Sequence, residues 1–471
     1  MRRLIVAAVA CCAFLAAAGT ALGHAYLISS QPASDAKLSA APTEVTMTFS
    51  ESVEILRPTD VDVVDGTGRN VTAGEPSNRP DKRVVTIPLK SGLGEGTYTV
   101  RYQILSADSH VVRGLVRFGI GPGDLAPPYL GGSTGAGPSE SGAWSVSSRF
   151  FEIVGLGGLI GLLAFRRLVW APALSGARDL AGAHGDAARA WMRDAFWVGF
   201  GVLAVGSMIA EGYLVVVQSA SVLGVGVGDA LRDASGISQV LGDTRFGGLV
   251  QLRGALLFAL FASGAVLFMR EYGSTGSPRP AAARGGELPT VLMAGLVLAV
   301  IGVVSAQGHA SVATYPPLQV GAQLVHIAGT GVWLTGLLMV AVATVRLPRL
   351  APSGGAALAA RVLTRFSLVA TAAITLIIVT GVIRAITELD DPTDLWQTGY
   401  GRSIVYKTAL LAPIALLAFS NRRIVAALRD VARPNRATLR RVRLLVGAEL
   451  VVGLAIVVVA ALLAGQVPRP S

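Results

Sequence analysis

Hydrophobic and polar residues follow two different rhythms along this chain. Between residues 44 and 120 they alternate. Val45, Met47 and Phe49 are separated by polar residues, the period-two pattern of a half-buried strand. Residues 61–64, 84–89, 97–105 and 111–120 continue the strand chemistry, and Asp65-Gly66-Thr67-Gly68 is a turn signal. Short strands, turns rich in Gly, Pro and Asn, and no long helical run predict an all-β antiparallel sandwich over residues 24–121. Pro127-Pro128, Gly131-Gly132-Ser133 and Gly137-Pro138-Ser139 mark a flexible tether over residues 122–148. Beyond it the rhythm is that of a bilayer protein. Eight apolar runs lie near residues 148–169, 195–217, 249–269, 288–306, 318–342, 366–387, 403–420 and 444–464. Each approaches the roughly 20 residues a helix needs to cross. They predict an all-α polytopic membrane bundle of eight transmembrane helices over residues 149–465, with a tail at 466–471.

Composition and charge sharpen this picture. The chain has 471 residues, 52% of them hydrophobic, and a mean hydropathy of +0.58, too apolar for an ordinary soluble protein. A net charge of +11 raises the question of nucleic acid. The arginines, however, sit in short loops between apolar runs, such as Arg166, Arg167, Arg270, Arg346, Arg349, Arg422 and Arg423. That is the positive-inside pattern, so a nucleic-acid partner is not expected. The alternate loops are neutral or acidic, as at Glu388, Asp390, Asp391 and Asp394. The expected placement is a multi-pass protein of the plasma membrane, with the N-terminal domain and the C-terminus both extracytoplasmic.

The leader determines the first piece of chemistry. Arg2 and Arg3 precede an apolar run at 4–18, and Ala21-Leu22-Gly23 is a small-x-small cleavage signal. Residues 1–23 thus read as a signal peptide, which makes His24 the first residue of the mature chain. An uncleaved anchor is the alternative. A chain-starting histidine offers both its imidazole and its α-amine to one ion. Asp108-Ser109-His110, between two strong strands, adds a carboxylate and a second imidazole. This nitrogen and oxygen set suits tetragonal Cu(II). Both cysteines, Cys11 and Cys12, lie in the leader, so thiolate sites and disulfides are not expected in the mature chain.

His24-Ala25-Tyr26-Leu27, Pro32-Ala33, Thr48-Phe49-Ser50-Glu51 and Ser106-Ala107-Asp108-Ser109-His110 together resemble the CopC family of periplasmic copper-binding proteins. The resemblance implies a Greek-key β-sandwich that binds Cu(II) through His24, Asp108 and His110, with Glu51 beside the ligands. Some members carry a methionine-rich loop for Cu(I). This domain has only Met47, on an apolar strand face, so that site is not expected and Met47 reads as core.

Polar residues within membrane spans are costly and tend to be functional. Gln319, Gln323, His326, Thr330 and Trp333 recur at helical spacing in the fifth span, and His309 sits at the outer end of the fourth. Pro316-Pro317 makes the outer loop short, so His309 and His326 are expected to approach one another. They read as ligands, with helix bridging as the alternative. Met208 and Glu211 lie one turn apart in the second span, where a thioether suits Cu(I). Met269, Met293, Met339 and Trp333 read as packing, and His184 as a solvated loop residue. Glu449 and Lys407 read as partners for other helices, without an assigned transport role.

Gly308-His309-Ala310, Gln323-Leu324-Val325-His326 with Trp333-Leu334-Thr335-Gly336, Arg365-Phe366-Ser367, Thr398-Gly399-Tyr400-Gly401-Arg402 with Lys407, and Asn421-Arg422 resemble the CopD family of copper-resistance membrane proteins. The family often has an acidic residue where Gln323 stands. This resemblance implies copper transport across the bilayer. The expected function is therefore copper binding outside the membrane and copper import, through His309, His326, Met208, Glu211 and Gln323. Copper ion and lipid are the expected partners, and no copper donor or acceptor protein is identified. One alternative is a tolerance protein that sequesters or senses copper without moving it. The other is a membrane copper or haem oxidoreductase, which a copper plane already filled by Asp108 and His110 argues against. No P-loop motif occurs, so direct ATP hydrolysis is not expected.

Overall fold

Alternating side chains between residues 44 and 120 build the first domain. In the computed structural model, residues 25–463 are described, apart from 108, 132–140, 178, 179, 181, 273–287, 312–314, 389–392, 398–400, 403, 406, 407 and 410–435. Nine strands follow in order: β1 (Leu27–Gln31), β2 (Ala36–Leu38), β3 (Glu44–Phe49), β4 (Val53–Glu54), β5 (Val61–Asp65), β6 (Ser77–Asn78), β7 (Val84–Pro88), β8 (Gly96–Ser106) and β9 (Val111–Ile120). One sheet runs β1-β3-β7-β6. The other runs β2-β9-β8-β4, with β5 also paired to β8. Val45, Met47, Phe49, Val85 and Ile87 from the first sheet meet Val63, Val100, Ile104, Val116 and Phe118 from the second in one apolar core. Met47 is fully buried there, as its strand position predicts.

Strand β8 is buried on both faces, although alternation predicts only one. The chain after β9 explains the second face. Ala126 donates its backbone N–H to Thr97 Oγ1 at 2.9 Å, and Tyr129 donates to Thr99 Oγ1 at 2.9 Å. Arg101 donates to Asp62 Oδ1 at 2.8 Å and also to the Gly131 carbonyl. The first part of the stretch read as a flexible tether therefore lies against the sheet.

The helices are α1 (Ser141–Ala164), α2 (Ala171–Ser175), α3 (Ala183–Leu223), α4 (Val227–Ala230), α5 (Ala234–Asp243), α6 (Arg245–Tyr272), α7 (Leu288–Gln307), α8 (Pro316–Leu350), α9 (Gly355–Glu388), α10 (Asp394–Gln397) and α11 (Arg436–Leu463). A π-helical segment at Phe165–Trp170 joins α1 to α2. Helix α1 begins at Ser141, inside the stretch read as tether. Among the described residues seven helices are long and apolar enough to cross a membrane. They include seven of the eight expected spans. The remaining one, at 403–420, falls almost wholly outside the described residues, as does Lys407. Helices α1 and α8 cross where glycine permits. A Cβ on Gly331 would stand 2.2 Å from the Gly157 carbonyl oxygen, and one on Gly161 2.3 Å from that of Gly331. Small residues let membrane helices approach to backbone contact in this way.

Helix α3 has 41 residues. At ~1.5 Å per residue it spans roughly 60 Å, about twice the hydrocarbon thickness. It therefore extends well beyond the apolar slab, and its C-terminal end reaches the β domain.

Candidate metal site and its seat on the membrane helices

Three hydrogen bonds bring together the segments that flank the expected ligand positions. Tyr26, two residues after His24, accepts from the Ser50 N–H at 3.0 Å. Its own N–H donates to Ser50 Oγ at 3.0 Å. Ala107 donates to the Ser52 carbonyl at 3.0 Å. Tyr26, the segment around Glu51 and the loop carrying His110 are thus neighbours. That loop is a tight hairpin. Ser106 N–H donates to His110 O at 2.8 Å, and Ser109 N–H to Ser106 O at 2.9 Å. Ser109 supplies the left-handed residue that such a turn needs, with φ of 71°. His24 and Asp108 lie outside the described residues. Glu51 and His110 are half-buried.

His110 faces the membrane domain. Arg149 of α1 lies 2.6 Å from its Nε2. Arginine has donors only, so Nε2 is the acceptor in this contact. A metal ion on that nitrogen would use the same lone pair. His110 and Glu51 are the expected site residues among those described, which include no group of three or more possible metal ligands.

The seat of the loop is built from helix ends. The last carbonyls of a helix have no partner within it. At the end of α3, Arg113 donates to Ser221 O at 3.0 Å, Gln103 to Val222 O at 2.7 Å and Arg57 to Leu223 O at 3.4 Å. Two of these donors are cations at the negative end of the helix dipole. Burial pushes the Arg113 guanidinium below its ordinary value, with Asp60 acting the other way. At the start of α6 the sign reverses, and Arg245 N–H donates to the Glu54 carboxylate at 3.1 Å. The Arg245 side chain donates to Ala107 O and, at 3.1 Å, to Ala306 O of α7. Ser109 Oγ lies 3.4 Å from Gln307 O, and Gln218 donates to Ser109 O. Leu105 packs with Val222, Leu223, Val240, Phe246 and Val250 beside these bonds.

Beneath the loop lies a buried polar cluster. Gln307 accepts through its side chain from Arg253, which also pairs with Glu211 and Glu152. The Arg253 side chain is 2% exposed, and those of Glu211 and Glu152 are 10% and 13% exposed. Two carboxylates share one guanidinium. Glu152 lies one turn below Arg149 on the same helix. A chain of polar contacts therefore runs from the hairpin through Gln307 into the bundle.

The other expected membrane residues lie on several elements. Met208 is 38% exposed and stands outside the cluster that holds Glu211. His326 Nδ1 lies 3.1 Å from Thr380 Oγ1, a contact between α8 and α9. The Gln323 Oε1 atom is buried and makes no hydrogen bond among the described residues. His309 falls in a short 3-10 turn at His309–Ser311, and its side chain lies outside the description. Met293, Met339 and Trp333 are buried packing residues, whereas Met269 is 58% exposed. His184 is not in a loop. It lies in the first turn of α3, 3.0 Å from Ser353 Oγ. Glu449 is buried. Sequence reasoning passed over Arg149, Glu152, Arg253 and Gln307, although a charge within an apolar run is the signal that marks such residues.

The CopC domain family matches residues 27–121, and the copper resistance protein D (CopD) family matches residues 360–463. The chain joins a CopC domain to a CopD domain. Copper transport protein CutJ of Bacillus subtilis (strain 168) is 24% identical over 407 residues, covering 84% of this chain and 67% of CutJ. Protein YobA of Escherichia coli (strain K12) is 33% identical over 98 residues, covering 21% of this chain and 78% of YobA. The crystal structure of CopC from Methylosinus trichosporium OB3b aligns with 26% identity over 23% of this chain and 100% of that one, with a TM-score of 0.19. The polar cluster, His309, Gln323 and His326 all precede the CopD-matched range.

Proposed function

We propose that this CopC–CopD chain captures Cu(II) outside the plasma membrane and passes copper to its membrane domain for import. In this reading the sandwich has Greek-key connections and holds the ion through the His24 amine and imidazole, Asp108 and His110, with Glu51 alongside. Copper is cargo, not a reagent, and the chain is not an enzyme. The sandwich and the C-terminus are extracytoplasmic, and residues 24–121 and 149–465 are the two working units. The positive-inside bias of the loops supports that orientation.

One observation carries the reading. The hairpin of His110 is seated on helix ends and linked through Gln307 to a buried cluster that holds two carboxylates, so a cation leaving the sandwich meets carboxylates rather than lipid. Glu211 belongs to that entry. His309, His326, Gln323 and Met208 remain candidates deeper in or beside the path, where Cu(I) is the species thioether and imidazole suit.

A second reading has its own support. Among the described residues, Leu159, Phe196, Leu260, Val297 and Ile301 pack into one buried apolar core. A protein that only sequesters copper requires nothing more. Cytoplasmic copper in cells expressing the wild type, Asp108→Asn/His110→Ala or no protein separates the two. Import predicts a rise that only the wild type gives. Equal cytoplasmic copper in all three would leave sequestration.

A further inference from the structure

The contact between His110 and Arg149 constrains what that imidazole can do. A guanidinium keeps its charge and has five N–H donors but no acceptor. At 2.6 Å it donates to His110 Nε2, which spends that nitrogen's lone pair. A metal ion on Nε2 needs the same lone pair. A metal ion on Nδ1 leaves Nε2 as the N–H of a neutral ring, and an N–H cannot accept from arginine. Either way, a metal-ligated His110 and the Arg149 hydrogen bond exclude one another. The cationic guanidinium adds repulsion of the same sign.

Resting on the copper reading above, we propose that Arg149 is a displacing residue: when the exported domain seats on the membrane helices, Arg149 takes the ligand nitrogen of His110 and drives copper off the sandwich. The position of Arg149 suits this task. It stands on α1 three residues before Glu152, so the element that evicts the cation also carries one of the carboxylates below. Gln218 and Arg245 also hold the hairpin, through its backbone carbonyls at Ser109 and Ala107. By linkage, if seating weakens copper binding, copper weakens seating by the same factor.

The test uses the purified full chain in lipid nanodiscs, with Cu(II) titrated against a competing chelator and the bound ion followed by EPR. Arg149→Met keeps the length of the side chain and removes the donor. It should bind Cu(II) about ten-fold or more tightly than wild type, the factor a charge-assisted hydrogen bond is worth, with the same imidazole nitrogen pattern. Hydrogen exchange on the wild-type chain gives a reading that does not depend on the variant folding. Copper should raise exchange at the α3 end, residues 218–224, which the seated domain covers. Equal affinity in the two chains, or bound copper with unchanged exchange at 218–224, overturns the proposal and leaves the copper reading standing. If neither chain binds Cu(II), the copper reading fails and the displacement proposal falls with it.

Discussion

Replacing Arg253 with methionine should be the most damaging single change in the membrane domain. Its guanidinium, 2% exposed, is the counter-charge of both Glu152 and Glu211 and also donates to Gln307. At contact distance, with an effective dielectric of 20, each pairing is worth on the order of 4 kcal/mol before desolvation is counted. Arg253→Met fills the volume but strands two buried carboxylates close together. Breaking a buried ion pair from one side costs about 3–5 kcal/mol. Glu211→Gln is the informative contrast. It removes one of the two carboxylates and leaves Arg253 paired with Glu152, so its cost should stay near 1 kcal/mol, the size of one net hydrogen bond. The double variant should show coupling on the order of 0.5–3 kcal/mol, because the two side chains touch. Reversible unfolding of the full chain in mixed micelles, followed by helical circular dichroism, measures all three. If Arg253→Met fell within about 0.5 kcal/mol of wild type, as a surface change does, the cluster would not be the ion-paired element described here. Copper uptake then separates stability from transport, since Glu211→Gln should fold and yet import less.

Further outcomes follow from other sites. Gly331→Ala should destabilise the bundle by about 1–3 kcal/mol in the same unfolding assay, because its Cβ would meet the Gly157 backbone, which has no side chain to give way. Arg101→Leu strands the buried Asp62 and should lower the unfolding free energy of the sandwich by about 3–5 kcal/mol, read by near-ultraviolet circular dichroism. A glycine inserted ahead of His24 after signal cleavage should remove the amine and imidazole pair from Cu(II), and EPR of the loaded chain should lose the corresponding nitrogen couplings. Hydrogen bonds from Thr67 and Arg69 hold the Asp65 carboxyl at about 2, below its ordinary value, although burial acts the other way. Its stabilising contribution is present above the unfolded carboxyl range and lost as pH falls through about 2. The 65–69 turn, followed by NMR shifts, should therefore stay formed at pH 3.

Much of the architecture was legible because burial imposes periodicity. Val45, Met47 and Phe49 announced a strand with one dry face, and the runs at 195–217 and 318–342 announced helices in lipid. The second dry face of β8 was not legible. It depends on backbone donors at Ala126 and Tyr129, and backbone groups leave no mark in composition. That Asp108-Ser109-His110 falls between two strands could be read, but not the tight hairpin there or the seat beneath it. That seat joins side chains to the terminal carbonyls of α3 and α7, which any sequence possesses. Glu211 stood out as a charge in an apolar span. Arg253 is equally out of place in its own run, and the two explain each other only when α3 and α6 are packed side by side.

The interdomain seat also bears on why a capture domain and a membrane domain share one chain. A free sandwich would have to find the bundle by diffusion, whereas a linked one meets it at an effective concentration on the order of mM. Proximity alone does not orient the hairpin. Orientation comes from charge: cations of the sandwich lie at the negative end of α3, and Glu54 lies at the positive end of α6. These pairings hold the sandwich on the helix ends, with the His110 hairpin over the Glu152–Arg253–Glu211 group. Reversing one of these charges should therefore misplace the hairpin without touching a copper ligand. In Arg113→Glu, Cu(II) capture should persist while import falls, and normal import in that variant would show that the seat is incidental to transfer.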